Sequence, residues 1–198
     1  MTNFLEHKGK IVCASKYFSV SEMKEIYTLG IKNFGENYVQ DLLKKKSELV
    51  ELKDIRWHLI GHLQSNKVKQ IINEIDYLHT LDSIKLAKEI QKYRIEPLNC
   101  LIQINLSEES QKSGILLKDL DIFYKEIKKY DKINLIGFMT IGVADDLEST
   151  DKIFAKMAEL KKQYEVEILS MGMSGDYNLA LKHGANLLRI GSLFKEVI

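Results

Sequence analysis

Eight short apolar runs rich in β-branched residues recur along this chain, and an amphipathic stretch follows nearly every one. That rhythm constrains the fold more than any single residue does. The runs at 11–15, 32–35, 55–60, 77–81, 99–105, 133–141, 166–170 and 186–190 read as strands. The stretches at 19–29, 38–49, 67–75, 83–93, 117–130, 147–164 and 176–183 read as helices, with Ser19 or Ser21, Asp82 or Ser83, and Ser174 or Asp176 as capping candidates. Parallel strands need a crossover of about a dozen residues or more, usually helical, and each gap supplies one. Eight such units close most naturally into a (β/α)8 TIM barrel of class α/β, although an open doubly wound sheet would satisfy the same periodicity. Residues 1–198 contain one proline, Pro97, and no Gly/Ser-rich linker, so a single domain is expected.

A barrel gathers the residues just past the C-terminal ends of its strands at one mouth. Here these are Lys16, Glu36-Asn37, Gly61-His62, Asn105, Met139-Thr140, Met173-Ser174, and Arg189 with Gly191-Ser192. Lys16 closes an apolar strand; partial desolvation there would favour nucleophilic use and Schiff-base formation. A strand-end lysine in solvent is the plain alternative. The turn Ser170-Met171-Gly172-Met173-Ser174-Gly175-Asp176 and the turn Arg189-Ile190-Gly191-Ser192 follow strands seven and eight, where barrels frequently bind phosphate through backbone N–H groups. Ordinary turn chemistry with a helix cap would give the same letters. Glu36 is placed to cap or to pair with Lys16. His58, inside a strand, reads as a satisfied core residue. No Ser/His/Asp set and no Gly-x-Gly-x-x-Gly stands at motif spacing. The residues by themselves describe a phosphate-ligand barrel with a candidate Schiff-base lysine.

Charge and cysteine content narrow the function classes. With 29 basic and 28 acidic residues the formal net charge is +1, which gives no general attraction for nucleic acid or an anionic membrane. Cys13 and Cys100 each lie in an apolar run, as buried small hydrophobes do, and no metal-ligand spacing occurs. Residues 1–10 carry Glu6, His7, Lys8 and Lys10 and lack the apolar core of a signal peptide, so a cytoplasmic protein is expected.

Taken together, Ala14-Ser15-Lys16, Phe34-Gly35-Glu36-Asn37-Tyr38, Trp57-His58-Leu59-Ile60-Gly61, Leu63-Gln64-Ser65-Asn66-Lys67, Leu169-Ser170-Met171-Gly172-Met173-Ser174 and Arg189-Ile190-Gly191-Ser192 closely resemble the YggS/PROSC family of pyridoxal phosphate-binding proteins. Six motifs in the expected order over nearly the whole chain are far more specific than any one of them. The resemblance implies a barrel like the N-terminal domain of alanine racemase (the type III fold of pyridoxal phosphate proteins). It implies pyridoxal 5′-phosphate as cofactor, joined as a Schiff base to Lys16. It also implies Arg189 at the pyridine nitrogen, Ser174 with Gly191 and Ser192 at the phosphate, Asn37 along the ring pocket and Met173 near the phosphate. Members commonly carry a longer helical segment before the first strand and a glycine after the phenylalanine matching Phe194, where this chain has Lys195. A barrel bottom with less cover and one last turn in the tail are therefore expected.

The function this implies is pyridoxal phosphate homeostasis: storage, buffering or delivery to client enzymes that use the cofactor, without established catalytic turnover. A pyridoxal phosphate-dependent amino-acid racemase is the alternative, and a cofactor-free Schiff-base aldolase acting on a sugar phosphate is a third reading. An arginine at the ring nitrogen leaves that nitrogen unprotonated and the ring a weaker electron sink, which favours the carrier. The resembled racemase uses a second, β-rich domain to dimerise and to bring a partner tyrosine to the cofactor. With the eighth strand ending near Ile190 and the sequence at Ile198, no such domain is expected here. The expectation is a monomer with an open mouth.

Overall fold

The strands form where β-branched and aromatic residues alternate, and the computed structural model, which describes residues 4–107 and 113–198, places them in one sheet. In chain order they are β1 Ile11–Ala14, β2 Asn33–Glu36, β3 Arg56–Leu59, β4 Tyr77–Leu81, β5 Leu98–Asn105, β6 Ile115–Leu116, β7 Ile133–Met139, β8 Ile168–Ser170 and β9 Leu188–Ile190. The helices are α1 Val20–Thr28, α2 Val39–Glu48, α3 Val68–Ile71, α4 Ile84–Tyr93, α5 Leu120–Ile127, α6 Leu147–Gln163 and α7 Tyr177–Lys182. The sheet order is β8-β7-β5-β4-β3-β2-β1-β9, and all its ladders are parallel. The register pairs Cys13 with Phe34, Phe34 with Trp57, and Val12 with Arg189.

Closure, which periodicity left open, is decided between β8 and β9. The bridge pair Ser170 and Leu187 joins them. The Leu187 and Asn186 N–H groups donate to Leu169 O at 3.1 and 3.0 Å, Met171 N–H donates to Leu187 O at 3.2 Å, and Arg189 N–H donates to Gly172 O at 2.9 Å. These bonds close the sheet on itself and make it a nearly closed eight-stranded barrel, with the two-residue β6 added outside the path by pairing with β5.

Alternation along each strand sorts side chains to two environments. Ile11, Cys13, Phe34, Trp57, Leu59, Cys100 and Ile102 join the hydrophobic core with Met23, Leu42, Ile71, Ile90, Phe123 and Phe154 of the helices. The lumen is polar. His79 of β4 bonds Ser170 of β8 at 2.8 Å, although β5 and β7 separate those strands in the sheet, so the contact crosses the interior.

Three segments differ from the expected pattern. The helix expected over 67–75 is a 3-10 turn, Ser65–Lys67, followed by the four residues of α3. Ile72 N–H still donates to Val68 O at 2.9 Å, but Glu74 N–H donates to Ile71 O at 2.8 Å, three residues back, so the chain tightens out of the α-helix there. Just beyond, the Arg94 guanidinium bonds the Ile72 and Ile75 carbonyls and the Asn73 side chain bonds Tyr93 O and Ile95 N–H. The helix expected over 117–130 begins as a 3-10 turn, Leu117–Asp119, before α5. Strand β6 was not expected, because two residues carry no readable alternation.

The chain's two ends meet. Residues 1–3 of the N-terminal segment lie outside the described residues; Phe4–Lys10 forms a 3-10 segment, and the tail forms another over Ser192–Glu196. The buried Phe194 ring meets Phe4 edge-on at 5.1 Å between centroids and Phe18 at 6.3 Å.

Candidate functional site

The strand ends open into a cavity of about 390 Å³ at the C-terminal mouth, a size suited to a small ligand. Lys16, Asn37, Met173, Ser174, Arg189, Gly191 and Ser192 all line it. They come from the ends of β1, β2, β8 and β9, with Ile60 and Ile141 from the ends of β3 and β7 as apolar wall. A neighbouring depression of about 700 Å³, running from Ile141 through Asp145, shares Ile141, Met173 and Gly175 with it. The smaller cavity is the candidate site, because it alone of the two holds an amine and a guanidinium.

Lys16 stands on the 3-10 turn Ser15–Tyr17, closed by Phe18 N–H donating to Ser15 O at 2.9 Å. Its side chain is exposed, with Nζ 4.7 Å from the Tyr17 ring centroid. The partial desolvation expected from a strand-end position is therefore absent: the turn lifts Lys16 off the strand and over an exposed ring. The turn itself is anchored from below. Ser15 Oγ donates to Glu36 Oε1 at 2.8 Å, and Lys45 Nζ reaches both Ser15 O and Glu36 Oε1 at 2.6 Å. Glu36 thus pairs with Lys45 and not with Lys16, since the fully buried end of β2 faces α2 rather than the mouth.

Arg189 is 5% exposed. Its Nη1 donates to Ser170 Oγ at 2.8 Å and its Nη2 to Thr140 O at 2.9 Å. Desolvation lowers its pKa to about 10, which still leaves a full positive charge at neutral pH. The guanidinium is the buried end of the site and the Lys16 amine its exposed end.

Between them lie neutral donors. Gly191 N–H donates to Ser174 Oγ at 3.3 Å, which leaves the serine's own O–H for an outside acceptor. Met173 N–H donates to Asp176 Oδ1 at 2.5 Å and tightens the same turn. Gly172 has φ +93°, and a Cβ there would stand 2.5 Å from the Ala180 methyl, so this turn requires glycine. Gly61 plays the same part on the opposite wall, where a Cβ would sit 2.2 Å from Asn37 O. That close approach seats the loop bearing Asn37. Helix α7 has only six residues, so the serine and backbone donors, rather than a helix dipole, make the anion-binding character.

Of the other expected mouth residues, Thr140 contributes its carbonyl to Arg189, Gly61 and His62 border a separate depression, and Asn105 is buried. Sequence reading missed Tyr17 and Lys195, which also line the cavity. Tyr17 follows Lys16 in the same tight turn and Lys195 follows the Gly191-Ser192 turn, but neither carries a periodicity signal. His58 is fully buried and bonded as expected, and the reading overlooked its partner His79. Burial also pushes the Cys13 and Cys100 thiols up, away from reactive thiolates. Among the described residues no helix is long and apolar enough to cross a membrane.

Comparison with known proteins adds four findings. Residues 12–194 match the family model described as alanine racemase, N-terminal domain. A pyridoxal phosphate homeostasis protein of Helicobacter pylori is 42% identical over 199 residues, covering 96% of this chain and 89% of that protein. The structure of PipY from Synechococcus elongatus with PLP bound superposes at a TM-score of 0.84 with 28% identity, covering 97% of this chain and 99% of that one. Alanine racemase from Corynebacterium glutamicum, at 15% identity and a TM-score of 0.74 over 96% of this chain and 57% of its own, shares the barrel.

Proposed function

The chain belongs to the pyridoxal phosphate homeostasis protein family, on the fold of the alanine racemase N-terminal domain, and from that premise we propose that it binds pyridoxal 5′-phosphate (PLP) in the mouth cavity. In this reading it is a monomeric, single-domain, cytoplasmic protein that buffers PLP and hands it to client enzymes. The observation that carries the proposal is that one cavity brings together an exposed amine at Lys16, a buried guanidinium at Arg189 and hydroxyl and backbone donors at Ser174, Gly191 and Ser192. That donor set matches an aldehyde, a pyridine nitrogen and a phosphate.

Each residue has a defined task. Bound PLP supplies an aldehyde that condenses reversibly with amines. Lys16 would hold the cofactor through its exposed Nζ, an amine able to take up that aldehyde with loss of water. Arg189 would face the ring nitrogen and, being protonated, would keep it a hydrogen-bond acceptor. Ser174 O–H and the Ser192 N–H would hold the phosphate, with the Gly191 N–H orienting the Ser174 hydroxyl, Met173 beside the phosphate and Asn37 along the ring. Exchange suits this arrangement better than turnover: racemisation needs acid–base groups on both ring faces and exclusion of water, whereas Lys16 is exposed.

The test is titration of the purified protein with PLP, followed by visible absorbance and equilibrium dialysis, alongside an assay for D-alanine formed from L-alanine. Saturable, near-stoichiometric binding without rapid racemisation is expected; absence of binding ends the proposal, and rapid racemisation favours the enzyme. Replacing Ser192 by proline removes one N–H, and Ser174→Ala removes the hydroxyl. Hydrogen bonds to a charged group contribute about 1.5–3 kcal/mol, so each change should weaken retention roughly tenfold to a hundredfold. Unchanged affinity in both variants would remove the two turns from the phosphate site.

A further inference from the structure

The geometry points to a one-directional hydrogen-bond chain, Asn33–His58–His79–Ser170, that holds Arg189 toward the ring nitrogen and makes His79 a positioning residue for that arginine. It deepens the PLP reading and rests on it for what Arg189 faces.

The links are continuous. His58 Nε2 lies 3.2 Å from Asn33 Oδ1, His58 Nδ1 lies 2.9 Å from His79 Nε2, His79 Nδ1 lies 2.8 Å from Ser170 Oγ, and Arg189 Nη1 lies 2.8 Å from the same oxygen. His58, His79 and Ser170 are fully buried. The chain therefore runs across the lumen from the half-buried Asn33 on β2 through β3 and β4 to β8 and β9, its two imidazoles and serine out of reach of bulk water.

Its direction is determined at both ends. Asn33 turns its amide nitrogen to Ile11 O at 3.5 Å, so Oδ1 meets His58 and can only accept. His58 Nε2 must then carry the hydrogen. A neutral His58 leaves Nδ1 as acceptor, which requires His79 to donate from Nε2. A neutral His79 in turn leaves Nδ1 as acceptor, which requires Ser170 O–H to donate. The serine's lone pairs are then free for Arg189, whose guanidinium can only donate. One arrangement of protons satisfies every atom.

Neutrality is imposed by the surroundings. Burial draws His58 down to about 3, with Arg56 opposing a second charge, and draws His79 well below its ordinary value, with His58 and Arg189 opposing it. The Tyr77 ring stacks on His58 at 4.3 Å between centroids and 3° between planes, fixing the imidazole plane. A protonated His79 would donate from Nδ1 and force the Ser170 hydroxyl to turn its hydrogen toward the guanidinium. The chain thus presents Arg189 with an acceptor and no transferable proton.

Two measurements decide this. In ligand-free protein, long-range 1H–15N spectra should show both imidazoles neutral with hydrogen on Nε2 at neutral pH. A hydrogen on Nδ1 of either ring overturns the chain whether or not PLP binds. In PLP-loaded protein, His79→Leu should shift the visible absorbance maximum and weaken PLP retention about tenfold. His79→Gln, whose amide supplies both a donor and an acceptor, should keep both near the wild-type values. Unchanged spectrum and affinity in folded His79→Leu, or equal loss in both variants, overturns the positioning role. Should His79→Leu fail to fold, Ser170→Ala cuts the same link with a smaller change and must give the same shift. A wild-type protein that binds no PLP removes the functional reading, while the ligand-free spectra still decide the chain.

Discussion

Lys16→Ala is expected to abolish covalent retention of PLP while leaving the barrel folded. Borohydride reduction of the wild-type holoprotein should fix the cofactor on one peptide, the one containing Lys16, and the variant should take up no reducible label. The fold should survive because the Lys16 side chain is exposed and its turn is held by Ser15, Glu36 and Lys45 rather than by the lysine itself. Exposed substitutions of this kind change stability by about 0.5 kcal/mol or less. The competitor amines are identifiable. Lys195 lines the same cavity, whereas Lys45 is tied to Glu36. Label on Lys195 in the wild type would move the attachment point to the tail. A variant that still binds PLP noncovalently would show Arg189 and the two turns acting without the amine.

The second large effect is acid destabilisation that sets in well above the carboxylate range. His58 titrates near 3 in the folded chain against 6.5 in an ordinary environment, and His79 is displaced in the same direction. Between those values the unfolded chain binds protons that the folded chain does not. Stability is therefore complete above the unfolded pKa and is lost as pH falls toward the folded one. A histidine held neutral contributes a slope of up to about 1.4 kcal/mol per pH unit, so His58 alone should remove roughly 2 kcal/mol by about pH 5, and His79 adds to it in the same direction. That is a large share of the roughly 5–15 kcal/mol that holds a typical domain together. Urea midpoints measured between about pH 7 and pH 5 should fall steeply, and His79→Gln should lessen that pH slope. A midpoint flat over that range would show that the two imidazoles are not held neutral.

Much of the architecture was legible from one dimension because each strand and helix carries its own period. β4 spans Tyr77–Leu81 and α6 spans Leu147–Gln163, matching the expected 77–81 and 147–164 nearly residue for residue. Legibility failed where a distant side chain decided the outcome. Arg94, about twenty residues downstream, holds the segment just past α3 by bonding the Ile72 and Ile75 carbonyls. Glu36 belongs to Lys45 because β2 turns that face toward α2. The candidate cavity residues were legible as a set through motif order, yet Tyr17 and Lys195 were not, since a residue's presence at a mouth depends on how its turn is aimed.

Sequence by itself determined the strand–helix alternation, the parallel sheet that follows from it, the glycine turns after the last two strands and the lysine at the end of the first. These are local properties: hydrophobic period, φ preference and capping act over a few residues. Tertiary structure alone decided that the sheet closes at Ser170 and Leu187, that Lys16 stands in solvent over Tyr17, and that His79 reaches Ser170 across 91 positions of sequence. The physical reason is that closure and lumen contacts depend on the summed twist and register of every strand, and no single segment encodes that sum.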